Sequence, residues 1–326
     1  MERKNLVGGP LANIAVRNPL NRYIADKIYP IVDVYDPKAK IPKYLRADWF
    51  RNDAGKRAET GRAPRSTYKM TETSISTTEN CHATPVPDKQ KDYQQAPNAY
   101  PLRLEENAIN HSTNKVDLAR EIICASSVLD ATWCGVAAGE DAEGKWAAGT
   151  GNTFLVDIAN GIEQIFLYSG VTPDLLRLFV DFMTFNQICK ESTVLAMMSH
   201  TERAIVTEDI LAKVLKIKDV VVAYPIENTA KETKAGTEFT NRLIWEKNAG
   251  KGSAFLVYNA DETPGLEMPM AGVQARLVYA SNGLPRATYT YYEDAEHQQV
   301  YEVAEEIDIR QVDSGLGYLW KDTRTT

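Results

Sequence analysis

Residues 41–65 read IPKYLRADWFRNDAGKRAETGRAPR, a stretch with seven Lys or Arg side chains and three large aromatic ones. The wider segment 41–100 is equally unusual, since it holds only five Ile, Leu, Val or Met residues. Sixty residues with so few aliphatic side chains cannot bury enough apolar surface to offset the entropy lost on ordering. We therefore predict that this segment is either disordered or ordered against another surface.

The charge of the chain is strongly asymmetric. Residues 1–70 contain 15 basic and 7 acidic side chains, a formal charge of +8, whereas residues 291–326 contain 3 basic and 9 acidic ones, a formal charge of −6. Opposite charges at the two ends of one chain suggest arms that lie on neighbouring copies. The sequence therefore favours a self-assembling protein.

Composition excludes several classes of protein. The chain has 326 residues and a net charge of −7, which argues against a molecule that binds nucleic acid with its whole surface. No apolar run approaches the roughly 18–20 residues that a membrane span requires, and the first residues do not resemble a secretory signal. The cysteines show no paired spacing, so we expect free thiols: Cys81, Cys124, Cys134 and Cys189.

Proline and glycine positions divide the first half of the chain. Residues 1–40 are interrupted at Pro19, Pro30 and Pro37 and are predicted to form an arm. Residues 41–92 are predicted to be an extended excursion, with a Gly- and Pro-rich tip and a Thr- and Ser-rich return strand that ends at Pro85 and Pro87. The strongest helix prediction is 98–134, about 35 residues and roughly 50 Å long, with Gly135 as its C-terminal glycine. Its polar first half predicts that it crosses a surface.

The second half is predicted to be a mixed α+β domain after a linker at 136–153. Apolar periodicity predicts helices at 154–168, 179–190 and 208–217, the last with Thr207 as its N-cap. Strands are predicted at 220–224, 254–258 and 273–279. Beyond Arg286, Ile307 and Ile309 alternate with charged residues, which indicates a long half-buried strand.

No sequence pattern points to catalysis. Gly139–Lys145 fits the phosphate-binding spacing GxxxxGK, but Trp146 replaces the Ser or Thr that ligates magnesium, and three acidic residues lie inside the loop. The four histidines fall in no metal-ligand spacing. We therefore expect no enzyme activity, no cofactor and no metal site.

The basic run has three readings. Its cations and aromatic side chains can bind nucleic acid, they can bind acidic protein surface, or the run can be a solvated loop. We favour the second, because the C-terminal block supplies an acidic target. The predicted inter-subunit contacts are Tyr44, Trp49, Phe50, Arg51, Lys56, Arg57, Arg62, Arg65, Glu302, Glu305, Glu306 and Asp308.

The order of segments resembles the major capsid proteins of tailed bacteriophages, which have the Hong Kong 97-type fold. Ile41–Tyr44 and Asp48–Arg51 look like the ascending limb of that family's E-loop, and Ala58–Pro64 looks like its tip. Residues 77–88 look like the returning strand, and Asp219–Tyr224 with the residues up to Gly236 resembles a strand and loop of the A-domain.

The resemblance implies an α+β, Hong Kong 97-like capsid fold. Its parts would be an N-terminal arm at 1–40, an E-loop hairpin at 41–84, a P-domain with a long spine helix at 85–150, a mixed A-domain at 151–285, and C-terminal P-domain strands at 286–326.

The resemblance also implies a function. Copies would assemble as pentamers and hexamers into an icosahedral shell of a virion, built in the host bacterial cytoplasm around phage DNA that the shell contacts only weakly. Expected partners are a separate scaffolding protein, a portal and, as a further candidate, a decoration protein, with no membrane. Two alternatives stay open: an encapsulin-like cargo shell, and a nucleic-acid-binding protein that uses residues 40–65.

Overall fold

The fold was derived from a computed structural model, and the part of the chain that it describes is residues 4–5, 23–44, 46–57, 61–94, 103–146, 152–198, 206–231, 238–258, 269–278 and 284–324. Half of the predicted arm (residues 1–3 and 6–22), the E-loop tip at 58–60 and the first residues of the predicted long helix lie outside these ranges. So do residues 147–151 of the predicted linker.

The described α-helices all lie before strand β10 (Asp219–Ala223). In chain order they are α1 (Ala25–Ile28), α2 (Arg46–Trp49), α3 (Asp88–Gln94), α4 (Leu104–Leu129), α5 (Phe154–Ser169), α6 (Phe182–Ile188), α7 (Ser192–Met198) and α8 (Glu208–Leu215).

The strands of the first half are short except for one. They are β1 (Lys4–Asn5), β2 (Ile31–Val34), β3 (Lys40–Tyr44), β4 (Met70–Ser74), β5 (Thr78–Pro87), β6 (Thr132–Trp133), β7 (Val136–Ala137) and β8 (Glu140–Asp141). The strands of the second half are β9 (Leu176–Asp181), β10 (Asp219–Ala223), β11 (Ile226–Asn228), β12 (Asn241–Leu243), β13 (Ser253–Tyr258), β14 (Gly272–Leu277), β15 (Ala287–Glu293), β16 (Gln298–Gln311) and β17 (Gly317–Lys321).

The first sheet is built around β16, in the order β1-β15-β16-β14-β2 with β5 also paired to β16. β15 and β14 pair antiparallel with successive parts of β16, and β5 pairs antiparallel with it from Gln298 to Ile307. The long strand predicted from the alternation around Ile307 is therefore confirmed. β5 continues through Pro85 and ends at Pro87, so the predicted end of the return strand is confirmed at the second of the two prolines.

The second sheet has the order β10-β9-β13-β17-β8. Its centre is buried and apolar, with Leu178, Leu256 and Trp320 in one cluster that α5 covers. Gly161 allows α5 to approach closely, since a Cβ there would lie 2.5 Å from the ring of Trp320. β17 lies within residues 286–326, which were predicted to form the C-terminal P-domain strands, but it pairs with β13 in the second sheet.

The long helix α4 is shorter than predicted. It has 26 residues, about 39 Å, and ends at Leu129 with Asp130 as its C-cap, so Gly135 does not cap it. Its polar first half lies across a surface as predicted, since Glu105, Asn107, His111 and Lys115 are exposed, although Ser112 and Thr113 on its inner side are buried. The inner side of the helix packs on β5 and β16, where the Ser112 hydroxyl lies 2.7 Å from the hydroxyl of Thr84.

The other predicted elements are mostly confirmed. α5, α8, β10, β13 and β14 agree with the predicted helices and strands to within a few residues. The predicted helix 179–190 was wrong in its first part, because Leu176–Asp181 is a strand and the helix begins only at Phe182. Asp181 marks the boundary, since its side chain accepts the backbone N–H of Met183 and Thr184 as an N-cap.

Candidate assembly surface

The predicted E-loop (residues 41–84) contains a two-stranded ribbon, and its last residues belong to β5 of the first sheet. β3 pairs antiparallel with β4, from Lys40 opposite Ser74 to Tyr44 opposite Met70. Beyond this ribbon the described residues 50–57 and 61–69 form neither helix nor strand. A two-stranded ribbon alone is marginally stable in water, so the loop gains from any surface that covers it.

Two aromatic side chains dominate the exposed part of the loop. Trp49 is 62% exposed and Phe50 is 66% exposed. The carboxylate of Asp48 accepts the backbone N–H of Lys69 at 2.9 Å, which joins the outgoing and returning limbs and brings the Trp49 ring to 6.2 Å from the ring of Tyr68. Exposed aromatic groups of this size are typical of protein interfaces.

The predicted basic contacts share the same exposed loop. Their side chains flank the aromatic pair on irregular backbone, and all are exposed: Arg51, Lys56, Arg57, Arg62 and Arg65. The side chain of Tyr44 lies outside the described residues, and its backbone belongs to β3. The structure therefore places these five cations on one exposed loop, and their contact with another subunit stays a prediction.

Two of the predicted acidic contacts are not on the surface. Glu302 and Glu305 are buried in the middle of β16, and Glu305 is fully inaccessible. Glu306 and Asp308 are partly exposed, but they bind the return limb of their own chain: Glu306 accepts the hydroxyl of Thr77, and Asp308 accepts the N–H of Ser76. The predicted acidic target for the basic loop must therefore exclude Glu302 and Glu305.

Glu305 belongs to a buried ionic network that the sequence did not reveal. Its carboxylate lies 3.3 Å from the Arg120 guanidinium and 3.4 Å from that of Arg286. Arg286 also pairs with Asp117, and Arg120 also pairs with Asp26 at 3.3 Å. The network therefore ties together α1, α4, β16 and the residue before β15.

Glu121 extends the connection to the N-terminal segment. Its carboxylate accepts the backbone N–H groups of Ile24 and Ala25, each at 3.0 Å, and the indole N–H of Trp245 at 2.6 Å. Burial raises the pKa of this carboxyl, and the three donors oppose that rise. The end of the N-terminal arm is thus anchored on α4.

A histidine pair bridges β5 and α4. The His82 and His111 rings lie 5.3 Å apart edge to face, His82 Nδ1 is 3.3 Å from the Ser112 hydroxyl, and His111 Nδ1 is 3.0 Å from the Thr84 hydroxyl. Burial, together with repulsion from His111 and Lys115, lowers the pKa of His82.

This pKa shift predicts an acid-sensitive contribution to stability. Because the imidazolium of His82 is less favourable in the folded than in the unfolded chain, stability falls as the pH drops through about 6.5, the unfolded value. We expect that lowering the pH from about 8 to about 5 reduces the melting temperature less in His82→Asn than in the wild type. Equal losses in both proteins would contradict the predicted role of His82.

The described residues contain one acidic group with metal-like spacing. Carboxylate oxygens of Asp141, Glu143 and Asp322 lie within 4.8 Å of one another. Protein groups already bind two of them: Lys251 pairs with Glu143, and the Asn248 amide donates to both oxygens of Asp322. Lys145 of the GxxxxGK stretch pairs with Glu140 at 3.6 Å, so that lysine binds an acid of its own loop.

Solved structures of low sequence identity share this fold. A phage-related protein from Bordetella bronchiseptica RB50 superposes with a TM-score of 0.71 at 18% identity, over 98% of each chain. The capsid of cyanophage P-SCSP1u gives 0.59 at 11% identity, over 90% of this chain and 86% of that chain. A virus-like particle from Pyrococcus furiosus gives 0.55 at 9% identity, over 95% and 98%.

These likenesses establish the fold. The chain has the α+β fold of phage capsid proteins, which confirms the fold that the resemblance implied. No protein-family model and no curated protein matches the chain. Among the described residues, no helix combines the length and the apolar character needed to cross a bilayer.

Proposed function

We propose that this chain is the structural subunit of a phage capsid, which assembles with copies of itself into a closed shell. The observation that carries the proposal is the likeness to a cyanophage capsid over 90% of this chain. The exposed aromatic and basic side chains of the E-loop support it, since they suit a contact with another protein surface.

The proposed domains of the subunit follow the boundaries predicted from the sequence. Residues 85–150 and 286–326 would form the P-domain, residues 151–285 would form the A-domain around the capsomer axis, and the arm and E-loop would reach over adjacent subunits. The extensive pairing of β5 with β16 gives the E-loop a rigid base from which to project. Pentamers and hexamers would be the intermediate rings.

Assembly would rest on many contacts of modest strength. Each exposed charge pair contributes about 0–1 kcal/mol, whereas a buried aromatic side chain contributes more. Because each subunit has several such interfaces, modest energies per contact would still yield a closed shell. The chain would act in the virion and would assemble in the host cytoplasm, with a scaffolding protein, a portal and packaged DNA as partners.

Electron microscopy tests the proposal directly. Purified protein is examined by negative stain and by light scattering after size exclusion, with and without crowding agents. We expect closed shells, tubes or rings of five or six subunits. A protein that stays monomeric or dimeric throughout and binds DNA in a strongly salt-dependent way would contradict the capsid proposal and favour the nucleic-acid alternative. A shell that encloses a protein cargo instead of DNA would favour the encapsulin-like alternative.

The E-loop aromatics give a mutational prediction. We expect Trp49→Ala to reduce assembly more than neutralisation of any one of Lys56, Arg57 or Arg62, because a desolvated aromatic ring contributes more to an interface than one exposed cation. Assembled and free protein are quantified by light scattering and sedimentation.

The single-charge variants Lys56→Ala, Arg57→Ala and Arg62→Ala serve as matched controls, since all three side chains lie on the same exposed loop. Unchanged thermal unfolding of Trp49→Ala would show that only assembly is affected. Equal defects in all four variants would contradict aromatic anchoring.

A further inference from the structure

The outer face of α5 is unusually apolar for a solvent-facing helix. The inner face of the helix is buried against the second sheet, whereas Val156, Phe166 and Leu167 point away from it and are exposed. Val156, Glu163 and Leu167 are spaced by seven and four residues, so they form one stripe along the helix. We call Val156, Glu163, Phe166 and Leu167 the α5 outer face.

The residues of α5 and their neighbours in sequence lack positive charge. The chain has no Lys or Arg between Trp146 and Leu176, a run of 31 residues that contains all of α5. Its exposed charges are acidic, namely Glu163 on the helix and Asp174 in the turn that follows. A partner for this surface therefore needs apolar groups and positive charge together.

The E-loop has that chemistry. Its exposed aromatic side chains, Trp49 and Phe50, are surrounded by exposed cations, of which Arg51 is the immediate neighbour. The sequence thus contains both halves of a complementary pair. Nucleic acid fits the basic loop but not the acidic α5 outer face, whose carboxylates would repel phosphates.

The same chain shows how the two surfaces fit. Gly170 caps α5 with a positive φ of 74°, and a Cβ at that position would lie 3.1 Å from the Phe50 ring. Phe50 therefore already rests on the C-terminal end of α5, one turn beyond Phe166. This contact leaves most of Phe50 and of the outer face exposed, with Leu167 at 62%. An apolar surface continues from the loop onto the helix, and its remaining area is open to another copy.

We propose that the α5 outer face is the acceptor surface for the E-loop of a second copy of this chain. The aromatic side chains of the incoming loop would cover Phe166 and Leu167, and its cations would lie beside Glu163 and Asp174. The contact is heterologous, because it joins two different surfaces, and such contacts generate rings when their rotation closes. The inference rests on the proposed function and names the surface that accepts the E-loop when copies of the chain assemble.

Charge substitutions on the helix test this assignment. Leu167→Lys removes apolar area and places a cation against the basic loop, whereas Leu167→Glu removes similar area but keeps the acidic character. We expect Leu167→Lys to raise the protein concentration needed for half-maximal assembly by about tenfold or more, and Leu167→Glu to raise it clearly less. The matched control is Leu195→Lys, since Leu195 is an exposed leucine on α7, at 44%.

The outcomes separate the inference from the proposed function. If both Leu167 variants assemble as well as the wild type, or if both lose assembly equally, the α5 assignment is overturned. The proposal that the chain forms a shell is not affected by either result. A defect in Leu195→Lys as large as that in Leu167→Lys would overturn it as well. Thermal unfolding of each variant confirms that the subunit is folded, which is expected because both leucines are exposed.

Photo-crosslinking gives an independent readout. Benzoylphenylalanine replaces Trp49, and subunits labelled with nitrogen-14 and nitrogen-15 are mixed before assembly. We expect mixed-isotope cross-links to peptides of residues 154–175. Mixed-isotope cross-links to other segments would overturn the α5 assignment alone. If the wild-type protein forms no assemblies and the benzoylphenylalanine variant gives no cross-links between subunits, both the inference and the proposed function fail.

Discussion

Replacement of Glu305 by alanine is expected to lower the free energy of unfolding by about 3–5 kcal/mol. Glu305 is fully buried and lies between the guanidinium groups of Arg120 and Arg286. Without its carboxylate, two buried cations would lose the anion that lies between them. Removal of one partner from a buried ionic network costs more than the network contributes, because a desolvated charge is left uncompensated.

Urea unfolding followed by circular dichroism measures this effect. Glu306→Ala is the matched control, since Glu306 is the next residue of β16 and is partly exposed, with a hydrogen bond from Thr77. We expect the control to lose less than about 1 kcal/mol. Similar losses in the two variants would mean that the network is not strongly desolvated. A selective loss in Glu305→Ala would also confirm that this residue serves the subunit interior.

Replacement of Trp320 by alanine is expected to cost about 3–5 kcal/mol of stability. The Trp320 ring is fully buried in the second sheet, where it packs on Trp146 and Tyr318 and fills the space above Gly161 of α5. Its indole nitrogen has no hydrogen-bond partner among the described residues, so the loss is one of packing. The cavity would lie between α5 and the sheet, and the helix would lose its main support.

Trp49→Ala is the natural comparison, because it removes the same side chain from an exposed position. We expect Trp49→Ala to change the free energy of unfolding by less than about 1 kcal/mol while it impairs assembly. Trp320→Ala should do the reverse, with a large loss of stability in the free subunit. A large stability loss in Trp49→Ala would instead assign the E-loop aromatics to the fold of the subunit.

The exposed site was predictable because it depends on composition. A segment with five aliphatic residues in sixty cannot form a core, so its aromatic and basic side chains, including Trp49 and Arg51, had to face solvent or a partner. The acidic half of the prediction failed at Glu305. Glu305 lies in phase with Ile307 and Ile309 along β16, and this period of two was a signal that it faces the core.

The fold was predictable where a periodic pattern has one interpretation. The absence of Gly and Pro from Leu102 to Trp133 predicted a long helix, and the structure has one at Leu104–Leu129. The apolar run that includes Leu176–Asp181 fits both a buried strand and a buried helix segment, and pairing with β10 and β13 decided for the strand. Local sequence cannot supply that decision, because strand partners are distant in the chain.

The sequence by itself determined which segments can form a core, which must project, and where helices and alternating strands occur, because those properties follow from side-chain size, polarity and spacing. Only the tertiary structure decided the fate of charged residues such as Arg120, Glu121 and Glu305. A charge can be buried only if partners from other elements meet it at hydrogen-bond distance, and those partners are brought together by sheet register and helix packing. The same packing placed Phe50 against Gly170 and left the outer face of α5 open.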